Sequence, residues 1–325
     1  MKTSNHLLRR LTAALLAAVL ALSIALPVFA SDDGDTIYIN SVSDLLSLAK
    51  SCAYDQWSVG KTVILQKDLS LEGMLWEPIP SFSGQFKGNG HTISDLTITG
   101  QYSPAGLFGI VEEQGSIESL SVRGIVSVSD SADTTTGGIV GINHGTLINC
   151  QFTGVVTGDS EVGGIVGRNE SEGTIDHSTA RAIVTGKSST GGIAGYNLGA
   201  ITGCTNVGSI NTEYQEASLD TDGFTAKMVD QINNKMAAAD DDATNSVTNV
   251  ATDTGGIAGR SSGMILTSVN TGTVGYEHVG YNVGGIVGRT DGLVSGCVNQ
   301  GHVLGRKDVG GIAGQAEPYR ELDLS

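Results

Sequence analysis

Between residues 105 and 316 the apolar positions fall in short runs rich in Val, Ile and Thr, each interrupted by Gly or Asn. Runs of β-branched residues broken in this way predict strands, not helices. The runs recur in a fixed order. Gly137-Gly138-Ile139-Val140-Gly141 returns at 163–167, 191–195, 255–259, 284–288 and 310–314, and a looser copy stands at Ala105 to Gly109. From first residue to first residue the steps are 32, 26, 28, 64, 29 and 26. Three further ladders keep step with the pentapeptide. Gly115, Gly145, Gly173, Gly199, Gly263 and Gly292 follow polar turns. Five residues later come Leu120, Cys150, Ser178, Cys204, Ser268 and Cys297, then Gly124, Gly154, Ala182, Gly208, Gly272 and Gly301 after four more. Two beyond those stand Val126, Val156, Val184, Ile210, Val274 and Val303. A unit of this size cannot bury its apolar face alone, so copies must stack.

About three strands per repeat, stacked ~4.8 Å apart with like residue over like, predict an all-β chain. The expected architecture is a right-handed parallel β-helix of about seven coils with three faces, the hand following the general rule for parallel crossovers. Left-handed hexapeptide helices need an aliphatic residue at every sixth position, and propeller blades need about 40 residues. Ahead of the repeats, Thr36 to Asn40 alternates as a strand. Val42 to Ser51, with Leu45, Leu46, Leu48 and Ala49, reads as an amphipathic helix that caps the first coil.

Residues 1–30 read as a secretory signal peptide. Lys2, Arg9 and Arg10 precede an apolar run from Leu11 to Val28, and Val28-Phe29-Ala30 places cleavage between Ala30 and Ser31. The expected organisation is then a cap with first strands over 31–80, the β-helix over 81–316 with an insertion at 211–254, and a tail at 317–325 that forms an incomplete cap. The membrane is met only through the signal peptide. Beyond residue 30 there remain 15 basic and 34 acidic residues, a net charge of −19. Nucleic acid is excluded as a partner, because phosphate binding needs clustered Lys and Arg.

The stretch Phe82 to Ile93 and the unit Gly106-Leu107-Phe108-Gly109, with its Gly-Gly-Ile-Val/Ala-Gly relatives, resemble the GLUG-motif family over roughly residues 60 to 316. The resemblance implies a pectin-lyase-like β-helix and a bacterial secreted or cell-surface protein. Such proteins are adhesin-like, or form the non-catalytic repeat regions of immunoglobulin A-cleaving metallopeptidases. The peptidase signature itself is missing: none of His6, His91, His144, His177, His278 and His302 belongs to a His-Glu-x-x-His pair.

Other chemistry is sparse. The cysteines, 98, 54 and 93 residues apart, lack zinc spacing. Asp159, Glu161 and Asp176 read as solvated turn residues and not as the facing carboxyl pair that glycoside hydrolysis needs. Arg168, Arg260 and Arg289 each follow a pentapeptide and read as exposed turn flanks, in a stack broken by Ile142 and Tyr196. Asp220 to Gly223 imitates part of a calcium loop, but Ser218 and Val229 stand where two essential ligands belong. It reads instead as the N-cap of a helix over 223–238, with Phe224, Met228, Ile232 and Met236 on one face. No metal or cofactor is expected. Cys150, Cys204 and Cys297 share a ladder with a Ser between successive members. They are therefore expected two coils, ~9.6 Å, apart, buried and unbridged.

The reading that follows is a secreted or surface-displayed binding or scaffold module, adhesin-like and non-catalytic. Its ligand is an extracellular protein or glycan met at the inserted-loop corner, where Tyr276, His278 and Tyr281 are candidate contacts. Two alternatives stay open. One is a carbohydrate-active β-helix enzyme, a polysaccharide lyase or hydrolase. The other is the non-catalytic front part of a larger extracellular multidomain protein. After Gly314 too few residues follow to complete a coil, so end-to-end self-association or a partner is expected there. Deleting the insertion to leave the usual nine-residue gap should preserve β-rich folding by circular dichroism, because neighbouring coils supply the stability. Unfolding of that variant would place the segment in the core.

Overall fold

A computed structural model describes residues 35–54, 56–128, 134–213 and 251–317. The expected signal peptide with its expected Ala30–Ser31 cleavage site, most of the insertion with its expected helix at 223–238, and the last eight residues lie outside the described residues. The described chain is nearly all strand, wound as a parallel β-solenoid. A single α-helix is described, α1, Val42–Ser51.

Each full coil has four faces, not the three expected. Ser160–Gly163 forms face 1, Val166–Asn169 face 2, Thr174–Asp176 face 3 and Thr179–Thr185 face 4. The extra face arises inside the pentapeptide. Its first Gly ends a face 1 strand, its Gly-Ile pair turns the corner, and its Val-Gly begins face 2. Face 3 stacks nine strands, face 2 eight and face 1 six. The stack is thus about eight coils deep, one more than expected, because Ile79–Phe82 and Gln85–Lys87 already lie in faces 2 and 3.

The ladders read from the sequence are true registers, except that Ala105 of the looser copy pairs with Thr136 instead of Gly137. Gly124, Gly154 and Ala182 are paired, as are Val126, Val156, Val184 and Ile210. Ile210, Val274 and Val303 continue the line through isolated bridges. Inward side chains form one core from Ile37 to Val287. At its N-terminal end Phe82, Phe86 and Phe108 pack with ring centroids 5.4 to 6.3 Å apart. Helix α1 seats Leu45 and Leu48 on this core. Ser41 caps it by accepting from the Asp44 amide at 3.2 Å.

Two buried asparagine ladders run along the stack. At the corner between faces 2 and 3, Asn143 Nδ2 donates to Asn169 Oδ1 at 2.8 Å. Asn169 Nδ2 donates in turn to Asn197 Oδ1 at 2.8 Å, and Asn197 Nδ2 to Ser261 Oγ at 3.0 Å. On face 4, Asn206 donates to Asn270 and Asn270 to Asn299, each at 2.8 Å. Each Asn also reaches the backbone of a Gly just ahead, two residues on for all but Asn169, which reaches Gly173 four residues on: the Gly208 amide donates to Asn206 Oδ1 at 3.0 Å. This local turn competes with strand pairing. Where Phe152 or Ala180 holds the face 4 position the strand runs seven residues; where Asn206 holds it, the strand splits into Thr205–Asn206 and Ser209–Ile210. The pentapeptide glycines make room for these ladders. A Cβ on Gly192 would overlap the Asn206 side chain, and one on Gly138 would overlap the Phe152 ring.

The cysteine and serine ladder is interior as expected, with one correction. Cys52, Cys150 and Cys204 are buried free thiols, but Cys297, in the last described coil, is only partly covered. The Cys150 amide donates to Ser178 Oγ at 3.1 Å and the Cys204 amide to Ser268 Oγ at 3.2 Å, so a serine separates successive cysteines. Burial pushes the Cys52, Cys150 and Cys204 thiols up to about 12.

Two outcomes follow. Asn169→Ala strands an amide of Asn143 and a carbonyl of Asn197, and should cost at least about 2 kcal/mol in urea denaturation. Thr190→Val should be neutral or stabilising. The buried Thr190 hydroxyl has no partner among the described residues, and its in-register counterparts Val162 and Val283 are already Val. A costly Thr190→Val beside a silent Asn169→Ala would contradict the assigned ladders. Secondly, because their thiolates form only near pH 12, Cys52, Cys150 and Cys204 should resist alkylation of the native protein at pH 8 while Cys297 reacts. Equal labelling of all four would show that the stack opens there.

Candidate functional site

Faces 1 and 2 meet at an outward-facing concave angle, and the third glycine of each pentapeptide forms its floor. A Cβ on Gly195 would overlap the backbone of Glu161 and Val162 in the preceding coil. Only glycine lets the two faces approach so closely. The result is a groove along the solenoid axis, lined on one side by face 1 side chains and on the other by face 2 side chains.

The face 2 wall stacks Ile110, Ile142, Arg168, Tyr196, Arg260, Arg289 and Gln315 in register. Tyr196 does not break the arginine stack, contrary to expectation. The Arg168 and Arg260 guanidinium carbons each lie 5.1 Å from its ring centroid, one coil to either side. A cation over an aromatic ring is attracted by the ring quadrupole, so Tyr196 joins the two charges instead of interrupting them. Its hydroxyl lies 3.3 Å from Ser262 Oγ.

The face 1 wall stacks Glu161, Ser189, Asp253, Asn282 and Asp308, all with left-handed backbone at φ between 46 and 54. Asn282 Nδ2 donates to Asp253 Oδ1 at 2.6 Å. The walls are bridged at Arg168. Its Nη1 meets Glu161 Oε1 at 2.7 Å and its Nε meets Glu170 Oε1 at 2.7 Å. Thr135 Oγ1 donates to Glu161 Oε2 at 3.1 Å. Burial opposes the Arg168 charge, but the Glu161 and Glu170 carboxylates outweigh it and hold the guanidinium above its ordinary range. A second ion pair joins Arg289 to Glu317 at 2.6 Å.

Around the Arg168 cluster the groove widens into a hollow of 430 Å³, lined by Thr134, Thr135, Ile142, Ser160, Glu161, Arg168 and Glu170. Glu161 and the arginines are therefore wall residues of a shared groove, not solvated turn flanks; the Arg168 side chain is 31% exposed and that of Glu161 20%. Asp159 and Asp176 stand elsewhere, paired with Lys187 at 2.5 Å and His177 at 2.8 Å. The Arg168 cluster was detectable in principle. Glu161 stands two residues before its pentapeptide and Arg168 one after, and these offsets repeat down both walls. Among the described residues, no group of His, Cys, Asp and Glu is placed to hold a metal ion.

Tyr276, His278 and Tyr281 lie apart from the hollow, at the corner leading from face 4 into face 1. Tyr276 makes an isolated bridge with Val279 and is 41% exposed. His278 is almost wholly exposed, 3.5 Å from Glu277. Tyr281 opens the strand Tyr281–Gly284, with the Arg306 guanidinium 5.8 Å from its ring centroid. The insertion enters and leaves at this same corner, between Ile210 on face 4 and Thr252 on face 1.

Comparison with known proteins agrees with the fold. A crystal structure from Bacteroides ovatus, provisionally named an immunoglobulin A1 protease, superposes with a TM-score of 0.56 at 18% identity. It covers 89% of this chain and 85% of its own. In sequence, halomucin of Haloquadratum walsbyi is 32% identical over 155 residues, 44% of this chain. A provisionally named Gly-rich membrane protein of Evansella cellulosilytica is 29% identical over 137 residues, 30% of this chain. The chain spans only 2% and 16% of the lengths of those two relatives. No family model matches the chain.

Proposed function

We propose that this chain is a secreted or surface-displayed, non-catalytic binding module of the GLUG-repeat type, adhesin-like, whose ligand is an extracellular protein or glycan. The groove between faces 1 and 2 carries this reading. It is a long concave surface lined by charged, hydroxyl and aromatic side chains, and the corner that holds the insertion and Tyr276, His278 and Tyr281 opens onto its face 1 wall. The carboxylates in the hollow converge on one guanidinium instead of facing each other across open space, which suits recognition better than glycoside cleavage. The signal-like leader and the names of the two longer relatives, a halomucin and a membrane protein, support a place outside the cell. The recurrence of this repeat within much longer proteins favours a modular part in a larger assembly.

Arrays of glycans and extracellular matrix proteins, probed with residues 31–325, test the reading. Saturable binding without turnover is expected, weakened when Tyr276 and His278 are both replaced by Ala. Depolymerisation of a polysaccharide, or no saturable binding to either array, would overturn it.

A further inference from the structure

We propose that the hollow around Arg168 is a saccharide subsite that takes the vicinal diol of a neutral hexose unit; this rests on the binding-module reading and names its ligand class. The guanidinium is fixed before any ligand arrives. Glu161 holds its Nη1, Glu170 holds its Nε, and Tyr196 covers one face. Two of its five N–H donors are committed to the carboxylates. Nη2 remains as a donor and Glu170 Oε2 as an acceptor, with no other polar contact among the described residues. Adjacent hydroxyls on a sugar ring each give one hydrogen bond and accept another, so a diol matches that fixed pair. Thr135 adds a hydroxyl already oriented on Glu161 Oε2, and Ile142 supplies an aliphatic wall for a C–H face of the ring.

Charge decides against other ligands. Glu161, Arg168 and Glu170 together carry a net −1, within a chain of net −16. An acidic glycan or acidic peptide would be repelled both locally and at long range. Strand addition by an extended peptide needs an unpaired sheet edge, whereas both walls are outward faces of paired strands. What the hollow offers is side-chain donors and acceptors at fixed positions, the means by which small polar ligands are oriented.

Isothermal titration of residues 31–325 tests this with the methyl glycosides of glucose, galactose, mannose and N-acetylglucosamine, and with dextran and galactomannan as polymer arms. Polygalacturonate and an oligo-glutamate peptide serve as anionic arms. Saturable binding of at least one neutral saccharide is expected. Glu170→Gln, which keeps size and removes charge, and Arg168→Lys, which keeps charge and loses the fork, should each weaken it by at least about tenfold. Circular dichroism melting confirms that a variant is folded, and Glu170→Gln, which keeps the side-chain size, carries the test if Arg168→Lys is not. Tyr54→Ala, at an exposed residue that does not line the hollow, should leave the affinity unchanged. Three results would overturn the proposal: neutral-sugar binding indifferent to Glu170→Gln, binding of the anionic arms only, or no saccharide binding. If array binding persists in any of these cases, the binding-module reading stands and only this subsite falls.

Discussion

In a parallel stack each coil must leave the next one the same donors and acceptors at the same height, and corners are where that condition is hardest to meet. A strand pairs its own backbone, but a turning backbone does not. Here the buried asparagine ladders meet the condition. Each amide closes its own turn onto a glycine two residues ahead, or four in the case of Asn169, and passes one hydrogen bond to the next coil. In a low-dielectric interior such a chain is worth having only when every member is satisfied. The ladders accordingly hand over to small hydroxyl residues, Ser261 and Thr290, where Asn no longer occupies the face 2 corner.

The same constraint shapes the outside of the molecule. The glycines of the pentapeptide are packing residues. One admits an Asn or Phe from across the interior, and another lets face 1 lie against face 2. Close approach of those faces creates the groove, and fixed register down its walls turns single side chains into stacks. Arg168 and Arg260 sandwich Tyr196 only because strand pairing places all three at one position in successive coils. Fold and candidate site therefore have one origin, the exact superposition of coils.

The sequence was informative wherever identity repeated. The glycine, cysteine-serine and valine ladders, α1 and the stacked parallel architecture were all legible, because stacking like on like writes itself into spacing. The fourth face was not, since the pentapeptide reads as one apolar run while its Gly-Gly-Ile corner divides it between two sheets. The asparagine ladders were overlooked because Asn-x-Gly looks like any turn until register shows two turns lying over each other. The groove was missed for a related reason. Arg, Tyr and Arg differ as letters, so a search for identical residues saw an interruption where a guanidinium meets a ring. Cys297 shares its ladder with Cys150 and Cys204, yet burial depends on what covers the outermost coil, and spacing carries no information about that.

Hydrogen exchange of asparagine side-chain amides, followed by NMR, tests the central claim most directly. Amide protons on Nδ2 of Asn143, Asn169, Asn206 and Asn270 should be protected to the same degree as the strand backbone amides beside them, because both are released only when coils separate. Rapid exchange of these side chains while the strand amides stay protected would contradict the account, since the stack would then hold together without its ladders.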